Sequence, residues 1–464
     1  MKKDPVARRA SVTEISMLLF AVLIPVYAYI DTGVNMSGSV PVGAAEYGIS
    51  LVALASTAHL AVRRFVPYAD PLMLPLATVL NGMGLVFIWR LDQEPQLAAQ
   101  GQAAPSQLMF STLGIGIFLL VIIFLRNHRA LAGFTYTALF VALALLISPI
   151  FFPSINGAKI WVTIGHFSIQ PAEFAKIIIC IFFAGYLAQK KDALALTSRR
   201  ILRIRVPRGR DLGPLFVVWL LSLMIMVMET DLGTALLFFG LFVAMLYGAT
   251  QRRSWIIFGL VLCVVGLVVA YFFVPHVTSR IDDWLNPFAS IDAGQGASQS
   301  AQVMFAFGAG GLFGTGLGLG HSYLIGFAAK SDYILGTVGE EIGLIGIAAL
   351  LIMYLLLAER GFKTSLRARD PFGKLLAFGL STVFALQVFI VAGGVTGLIP
   401  LTGMTMPFLA QGGSSVVTNW ALVAILLVIS NDARKPAPAD AGIDLDVNSL
   451  DDLPTQIVRT APMD

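Results

Sequence analysis

About twelve long runs of apolar side chains constrain this chain more than any other feature. A helix needs roughly 20 apolar residues to cross the hydrocarbon core of a bilayer. The 464 residues are 57% hydrophobic and only 12% charged, whereas soluble domains carry about 25% charged residues. The runs predict an all-α, polytopic membrane protein with about 12 transmembrane helices, near 14–30, 46–62, 72–89, 108–125, 131–151, 172–187, 212–229, 232–249, 254–274, 333–357, 375–397 and 405–429.

The distribution of Lys and Arg between these runs predicts the orientation. Basic residues crowd the N-terminus and then recur in every second loop, most densely between Lys190 and Arg210. Short cytoplasmic loops are enriched in Lys and Arg, so both termini are predicted to be cytoplasmic. The loops 31–45, 91–107, 152–171 and 275–332 then face the outside, where ATP and nucleotide sugars are absent.

Composition removes several classes of function. The net charge of +4 is small, and the basic residues lie in short loops, so no nucleic-acid partner is expected. The two cysteines, Cys180 and Cys263, lie inside apolar runs, which argues against a disulfide framework or a zinc site. The first apolar run lacks a cleavage site of small residues, so we interpret it as a retained span.

The chain divides into four predicted parts. A cytoplasmic N-terminus covers 1–13, and N-terminal transmembrane helices cover 14–104, of which the first two spans form an added pair. A transmembrane core covers 105–431 and includes the extracytoplasmic loop 275–332. Residues 432–464 are acidic and polar, which predicts a disordered cytoplasmic tail.

The outer segment 275–343 concentrates the chemistry. It opens on polar residues around Arg280, which we interpret as a loop, and continues into a glycine-dense run, Phe307–Gly318. No Gly-Lys-Ser/Thr follows these glycines, so they do not form a phosphate loop. They are expected to allow close backbone packing, or an irregular loop that lines protein or a water-filled cavity.

Asp332 lies at the outer mouth of the tenth span, beside Lys330 and Ser331. A carboxylate near the interface can stay ionised and accept a proton from a hydroxyl nucleophile, while Lys330, Lys159 or Arg280 holds an anionic leaving group. The alternative is that Asp332 is a helix N-cap. Local sequence does not separate the two.

Other charged residues at or inside the spans need a cavity or a partner, because an unpaired charge in the membrane is costly. Glu173 and Lys176 share one helical face and either neutralise each other or serve a substrate. Asp231 either caps the eighth span or has a functional role. Glu340 and Glu341 require cationic or hydrogen-bonding partners, and Lys176 is a candidate.

The motifs occur in an order that resembles the SEDS family, the shape, elongation, division and sporulation proteins typified by RodA and FtsW. The resemblance covers roughly residues 105–430. It includes Gly412–Ser415, which we interpret as small-residue helix packing inside the last span. The matching stretches are Asn156–Trp161, Phe167–Lys176, Asp231–Thr234, Gly310–Gly318, Ser331–Ile334, Gly339–Gly343, Gly397–Gly403 and Gly412–Ser415.

This resemblance implies a peptidoglycan glycosyltransferase in the cytoplasmic membrane of a bacterium. Such an enzyme polymerises lipid II, the undecaprenyl-pyrophosphate-linked disaccharide pentapeptide, beside a class B penicillin-binding protein. Asp332 matches the family's essential aspartate and would be the general base for the inverting reaction. Glu173, Lys176, Asp231 and Glu340 match polar positions of the family's central cavity and would bind substrate.

Lys159, Arg280 and Lys330 complete the candidate site as cations for the pyrophosphate. The wording of the motif around Glu173 and the extra N-terminal pair resemble the actinobacterial RodA branch, which serves elongation and cell shape, more than FtsW. No cofactor follows from the residues, and a divalent cation (Mg²⁺ or Mn²⁺) at the pyrophosphate stays open. The rival classes are a lipid II flippase and a noncatalytic scaffold for the transpeptidase.

Overall fold

The computed structural model describes residues 4–436 except 99–100, 155–157, 166, 197, 202–203 and 208. The predicted acidic tail beyond 436 lies outside the described residues. Within them the fold is built from α1 (Pro5–Ser37), α2 (Ala44–Phe65), α3 (Met73–Asp92), α4 (Pro95–Ala98), α5 (Ala104–Phe124), α6 (Thr135–Ile147), α7 (Pro171–Leu196), α8 (Gly209–Met228), α9 (Leu232–Thr250), α10 (Ser254–Phe273), α11 (Pro275–Leu285), α12 (Ala289–Asp292), α13 (Gln299–Gly310), α14 (Ile334–Arg367), α15 (Pro371–Val395) and α16 (Gly413–Arg434).

Strands are confined to two small antiparallel hairpins in the described part. The first pairs β1 (Val162–Ile164) with β2 (Phe167–Ile169), and the second pairs β3 (Ser198–Ile201) with β4 (Ile204–Pro207). Four short 3₁₀ helices complete the elements, at His128–Phe134, Ser148–Phe151, Ser322–Ile325 and Phe327–Lys330.

Eleven helical segments of the described chain are long and apolar enough to cross a membrane, and a shorter apolar stretch, Phe216–Met228, lies within α8. The all-α, polytopic architecture is therefore confirmed. Two local predictions were wrong. The polar segment after 275 is the helix α11 rather than a loop, and Gly412–Ser415 lies at the start of α16 rather than inside it.

Helix α14 is broken at Gly343, whose φ of +68° and ψ of −173° are not helical. The glycine loop, which we define as Gly311–Gly320, runs alongside this break. The Thr315 amide donates to the Glu340 carbonyl at 2.8 Å, and the Leu344 amide donates to the Gly311 carbonyl at 3.0 Å. A Cβ on Gly343 would lie 2.4 Å from the Gly314 nitrogen, so these glycines allow the close backbone packing that the sequence predicted.

The N-terminal pair, defined as α1 and α2, packs against α3. Tyr29 of α1 stacks on Tyr47 of α2 and contacts Trp89 of α3, with ring centroids 4.7 Å and 4.0 Å apart. The Tyr47 hydroxyl donates to the Gly82 carbonyl at 2.9 Å. In the apolar stretch of α3, 89% of the residues are buried. Helix α3 is therefore enclosed between this pair and the rest of the bundle.

Candidate functional site

When α8, with its apolar stretch Phe216–Met228, is counted as a twelfth span, alternation places the segments around 160–170, 229–231, 275–333 and 396–412 on one side of the membrane, the side predicted to face outside. The outer cleft lies there, between α11, α13 and the chain that follows α15. Its lining residues are Arg280, Asp283, Trp284, Pro287, Ser300, Met304, Tyr333, Gly394, Val395, Gly397 and Leu401.

Helix α11 is attached to the far wall of this cleft by two long-range hydrogen bonds. Arg280 Nη1 donates to the Leu401 carbonyl at 2.9 Å, and Trp284 Nε1 donates to the Gly397 carbonyl at 2.7 Å. Leu285 of α11 remains 68% exposed. Trp284, next to it, is also exposed, and a short helix with exposed apolar residues at one end suits the interface of a bilayer.

Asp332 lies immediately beside the outer cleft, next to its lining residue Tyr333. Ser331 Oγ donates to Asp332 Oδ1 at 2.8 Å. Helix α14 begins at Ile334 with Tyr333 as its N-cap and no side-chain capping hydrogen bond, so Asp332 is not a helix cap. Burial raises the pKa of Asp332 above its usual value, and the Ser331 hydrogen bond and the Arg280 charge limit that rise.

Arg280 is the cation that the fold brings to Asp332. Burial lowers the pKa of its guanidinium, while the charges of Asp332, Tyr333 and Asp231 act to raise it. These groups therefore lie within electrostatic reach of one another. The arrangement brings one half-buried positive charge within the electrostatic influence of two acids.

The turn between α8 and α9 presents two further acids. Asp231 Oδ1 accepts the Thr234 amide at 3.0 Å, so Asp231 is the N-cap of α9. Its Oδ2 atom and Oε1 of Glu229 are buried and have no hydrogen-bond partner in the described part of the chain. Burial, helped by the Asp231 charge, raises the pKa of Glu229 to about 8. The β-branched Thr230 between them has a φ of +62°, a strained conformation for that residue type.

Asp231 and Glu229 are also the carboxylates best suited to a divalent cation near the outer cleft. Mg²⁺ is commonly held by one or two carboxylates together with substrate phosphates. Two neighbouring acids with unpartnered oxygens fit that donor set, since a bound cation would favour the ionised form of Glu229. A different group, His128, Asp370 and Asp432, has ligand atoms within 4.8 Å of one another, but Arg129 already pairs with both of its acids.

Glu173 and Lys176 form a closed polar cluster inside the bundle. Lys176 Nζ donates to Glu173 Oε2 at 2.5 Å and to Gln387 Oε1 at 2.8 Å. The Thr418 hydroxyl donates to the same Glu173 oxygen at 3.1 Å. The hypothesis that Lys176 neutralises the two acids of α14 was therefore wrong.

Lys330 is 3% exposed and pairs with Asp92 at the end of α3. Its Nζ lies 2.7 Å from Asp92 Oδ1. The Asp92 carboxylate also accepts the backbone amides of Ala103 and Ala104, and the Lys330 carbonyl accepts the Gln411 amide at 2.7 Å. Lys330 is thus anchored on both its side chain and its backbone, two residues before Asp332.

The two acids of α14 have different partners, and neither lines the outer cleft. Glu341 pairs with Arg90 of α3. Glu340 accepts the His321 amide at 2.7 Å and the Ser322 hydroxyl at 2.5 Å. Glu340 lines a second cleft on the opposite face of α13, together with Gln302, Phe305, Ala306, Ala309, His321, Ser322, Leu324 and Ile325.

Lys159 is exposed, and its backbone amide donates to the Glu229 carbonyl at 3.4 Å. It therefore lies beside the turn that carries Asp231. Its motif neighbours Asn156 and Gly157 lie outside the described residues. Among the predicted residues, the fold brings Asp332, Arg280 and Asp231 together with Glu173 behind them, and it separates Lys330 and Glu340.

Arg90 and Asp92 were missed from the sequence. A signal was present, because Arg90 is the sole basic residue between Arg64 and Arg126 and falls at the outer end of a span. Short outer loops are poor in Lys and Arg, so a lone arginine there indicates a buried partner.

Comparison with known proteins identifies the family. The model of the FtsW/RodA/SpoVE family, described as "Cell cycle protein", matches residues 70–435. This chain belongs to that family. The peptidoglycan glycosyltransferase RodA of Mycobacterium tuberculosis is 44% identical over 429 residues, which cover 91% of each chain.

Solved structures of the family share the fold. RodA of Thermus thermophilus superposes with a TM-score of 0.55 at 21% identity, covering 79% of this chain and 98% of that one. A chain of a peptidoglycan synthase complex gives a TM-score of 0.60 at 22% identity, covering 79% and 99%. Because it has these spans and belongs to this family, the chain is a multi-pass protein of the bacterial cytoplasmic membrane.

Proposed function

We propose that this chain is a peptidoglycan glycosyltransferase that polymerises lipid II on the outer face of the membrane, for cell-wall elongation and shape. The observation that carries the proposal is the placement of Asp332. It is a half-buried carboxylate beside the outer cleft, its hydrogen-bond donor is the neighbouring Ser331 hydroxyl, and no ion pair occupies it in the described chain. A family member with 44% identity carries the same activity in its name.

Asp332 acts as the general base. The acceptor's GlcNAc 4-oxygen attacks the anomeric carbon of the donor's MurNAc, and its proton passes to an Asp332 oxygen. The bond from that carbon to the pyrophosphate oxygen breaks, the electron pair leaves with undecaprenyl pyrophosphate, and the configuration inverts. A pKa raised by burial suits this role, because a general base works best when its pKa lies near the operating pH.

Arg280 stabilises the charge that develops on the leaving pyrophosphate. A half-buried guanidinium is partly removed from water, where electrostatic stabilisation of a transition state is stronger than in bulk solvent. Asp231 holds a substrate hydroxyl or a divalent cation at the pyrophosphate, and Glu173, which is paired with Lys176, supports the bundle behind it. Lys159 attracts the pyrophosphate from the exposed rim. Lys330 forms an ion pair with Asp92 and thereby anchors the backbone two residues before the base.

The surroundings of the cleft suit a substrate attached to a polyprenyl chain. Trp284, Leu285 and Phe288 present exposed apolar surface beside the polar cleft, at the level where the interface of the bilayer is expected. A sugar head group in the cleft and an isoprenoid tail among lipids would both be accommodated. The partner is a class B penicillin-binding protein, supported by the fold shared with a chain of a peptidoglycan synthase complex.

The deciding experiment measures glycan-strand formation by purified protein with fluorescent lipid II. Asp332→Ala is expected to lower the rate by about 10²–10⁴, the usual contribution of a positioned base. Asp292→Ala, an exposed acid on the same outer segment, is the matched control and should retain activity.

Full activity of Asp332→Ala would refute the assignment of the base. If the wild-type protein moved lipid II across vesicle membranes without making strands, the flippase alternative would replace the enzyme. If it did neither and the substitution spared cell shape, the scaffold alternative would stand.

A further inference from the structure

The N-terminal pair lies outside the match to the family, which begins at residue 70. The solved structures cover nearly all of their own chains but 79% of this one. Helix α1, with 33 residues, is also much longer than the roughly 20 that a span requires. The extra turns of α1 need an explanation beyond anchoring in the membrane.

The outer end of α1 contacts the glycine loop directly. Asn35 Nδ2 donates to the Leu317 carbonyl at 2.9 Å, across 282 positions of sequence. The next residue, Gly318, packs so closely on α1 that a Cβ there would lie 2.8 Å from Met36 Cγ and 2.9 Å from the Thr32 carbonyl oxygen. Gly318 is thus fitted to the backbone of α1.

The same glycine is joined to the charge cluster of α14. The Gly318 amide donates to Glu341 Oε2 at 2.9 Å. The other side of Glu341 pairs with Arg90, which also donates to the Gly320 carbonyl. The glycine loop is therefore held by α1 on one side and by the Arg90–Glu341 pair on the other.

A second series of contacts connects the N-terminal pair, through α3, to the segment before Asp332. Pro25 of α1 faces Gly82, where a Cβ would approach Pro25 Cγ to 2.7 Å. Trp89 of α3 contacts Tyr29 of α1 and precedes Arg90, and Asp92 follows at the end of the same helix. Asp92 binds Lys330, so both routes end on the segment that leads into Asp332.

We infer that the N-terminal pair is a positioning element for the base, and that Asn35 and Gly318 are the residues through which it acts. The inference rests on the proposed function of Asp332. A general base misplaced by about 1 Å loses on the order of a hundredfold in rate. A helix pair that fixes the glycine loop would restrict the geometry of residues 318–333 without touching substrate.

The catalytic test compares two glycines of similar backbone conformation. Gly318 has a φ of +80° and contacts α1, whereas Gly296 has a φ of +88° and a Cβ added there would have no heavy atom within 4 Å. Both Ala variants place a side chain at a positive φ, but an added Cβ meets α1 only in Gly318→Ala. Gly318→Ala should lower kcat about tenfold or more, with KM for lipid II little changed, and Gly296→Ala should stay within about twofold.

A second test needs no catalysis. Hydrogen exchange of residues 311–333 is measured in the full-length protein and in Asn35→Ala, with Val34→Ala, an exposed neighbour, as the control. Asn35→Ala should speed exchange in this segment and leave α15 and α16 unchanged. Equal exchange in all three proteins, or equal kcat for the two glycine variants, would overturn the inference. Absence of strand synthesis by the wild type would instead overturn the proposed function and leave the exchange result to decide the role of α1.

Discussion

The acids inside the bundle and the acids beside the outer cleft differ in their partners. Inside, Glu173 has Lys176, Glu341 has Arg90, and Asp92 has Lys330 together with two backbone amides. Beside the cleft, Asp332 has a hydroxyl as its hydrogen-bond donor, and Asp231 keeps one oxygen without a partner in the described part of the chain.

This difference distinguishes charges that stabilise the fold from charges that can accept a proton or bind a ligand. A buried charge whose partner is removed destabilises a protein by about 3–5 kcal/mol, which explains why each of these interior acids has a cation. A carboxylate that must accept a proton or bind a ligand cannot be occupied in this way. Under the proposed function, Asp332 and Asp231 therefore belong to the reaction site, and the paired acids stabilise the surrounding bundle.

Breaking the Asp92–Lys330 pair tests the structural half of this comparison and should give the largest effect. Asp92→Leu leaves a buried ammonium without its acid and two amides without acceptors, so unfolding free energy should fall by about 3–5 kcal/mol. Lys330→Met should cost less, because Asp92 keeps the amides of Ala103 and Ala104. Thermal unfolding in detergent measures both.

The double variant Asp92→Leu with Lys330→Met should recover part of the loss, since no unpaired charge remains. The contrary result is specific. If Lys330→Met unfolds like the wild type but raises KM for lipid II, then Lys330 serves the pyrophosphate, as the sequence alone had predicted.

The pH dependence of kcat/KM tests the reactive half. Because burial raises the pKa of Asp332, activity should fall as the pH decreases through a value above the ordinary 3.9 or so of aspartate. The Arg280 charge lowers that pKa. Arg280→Gln should therefore move the acid limb to higher pH, in addition to slowing the reaction at its plateau.

An acid limb that stays in place in Arg280→Gln would show that the two groups are not coupled. The control is Arg129→Gln, which removes a half-exposed arginine on the opposite side of the membrane. Its profile should match the wild type.

Hydropathy was sufficient for the helical spans, because that signal is local, whereas the role of Asp332 stays a prediction from motif order. The pairing of charges was not predictable, since Lys330 and Asp92 are 238 positions apart and either could have met several other groups. The role of the glycines became clear only from the break in α14 at Gly343. The glycine loop makes hydrogen bonds to the backbone carbonyls and amides on either side of that break. Helix α11 was missed because its apolar positions are few and its first residues resemble a turn.

Lys159 should give the smallest effect, and for a physical reason. It is exposed, so its attraction for a pyrophosphate is screened within about 8 Å at physiological ionic strength. Lys159→Ala should raise KM for lipid II by about twofold to fivefold at low salt, as expected for an exposed charge contact worth at most about 1 kcal/mol. The difference should shrink at high salt, and Lys374→Ala, an exposed cytoplasmic lysine, should show none of it. A loss as large as that of Asp332→Ala would mean that departure of the pyrophosphate, rather than activation of the sugar hydroxyl, limits the rate.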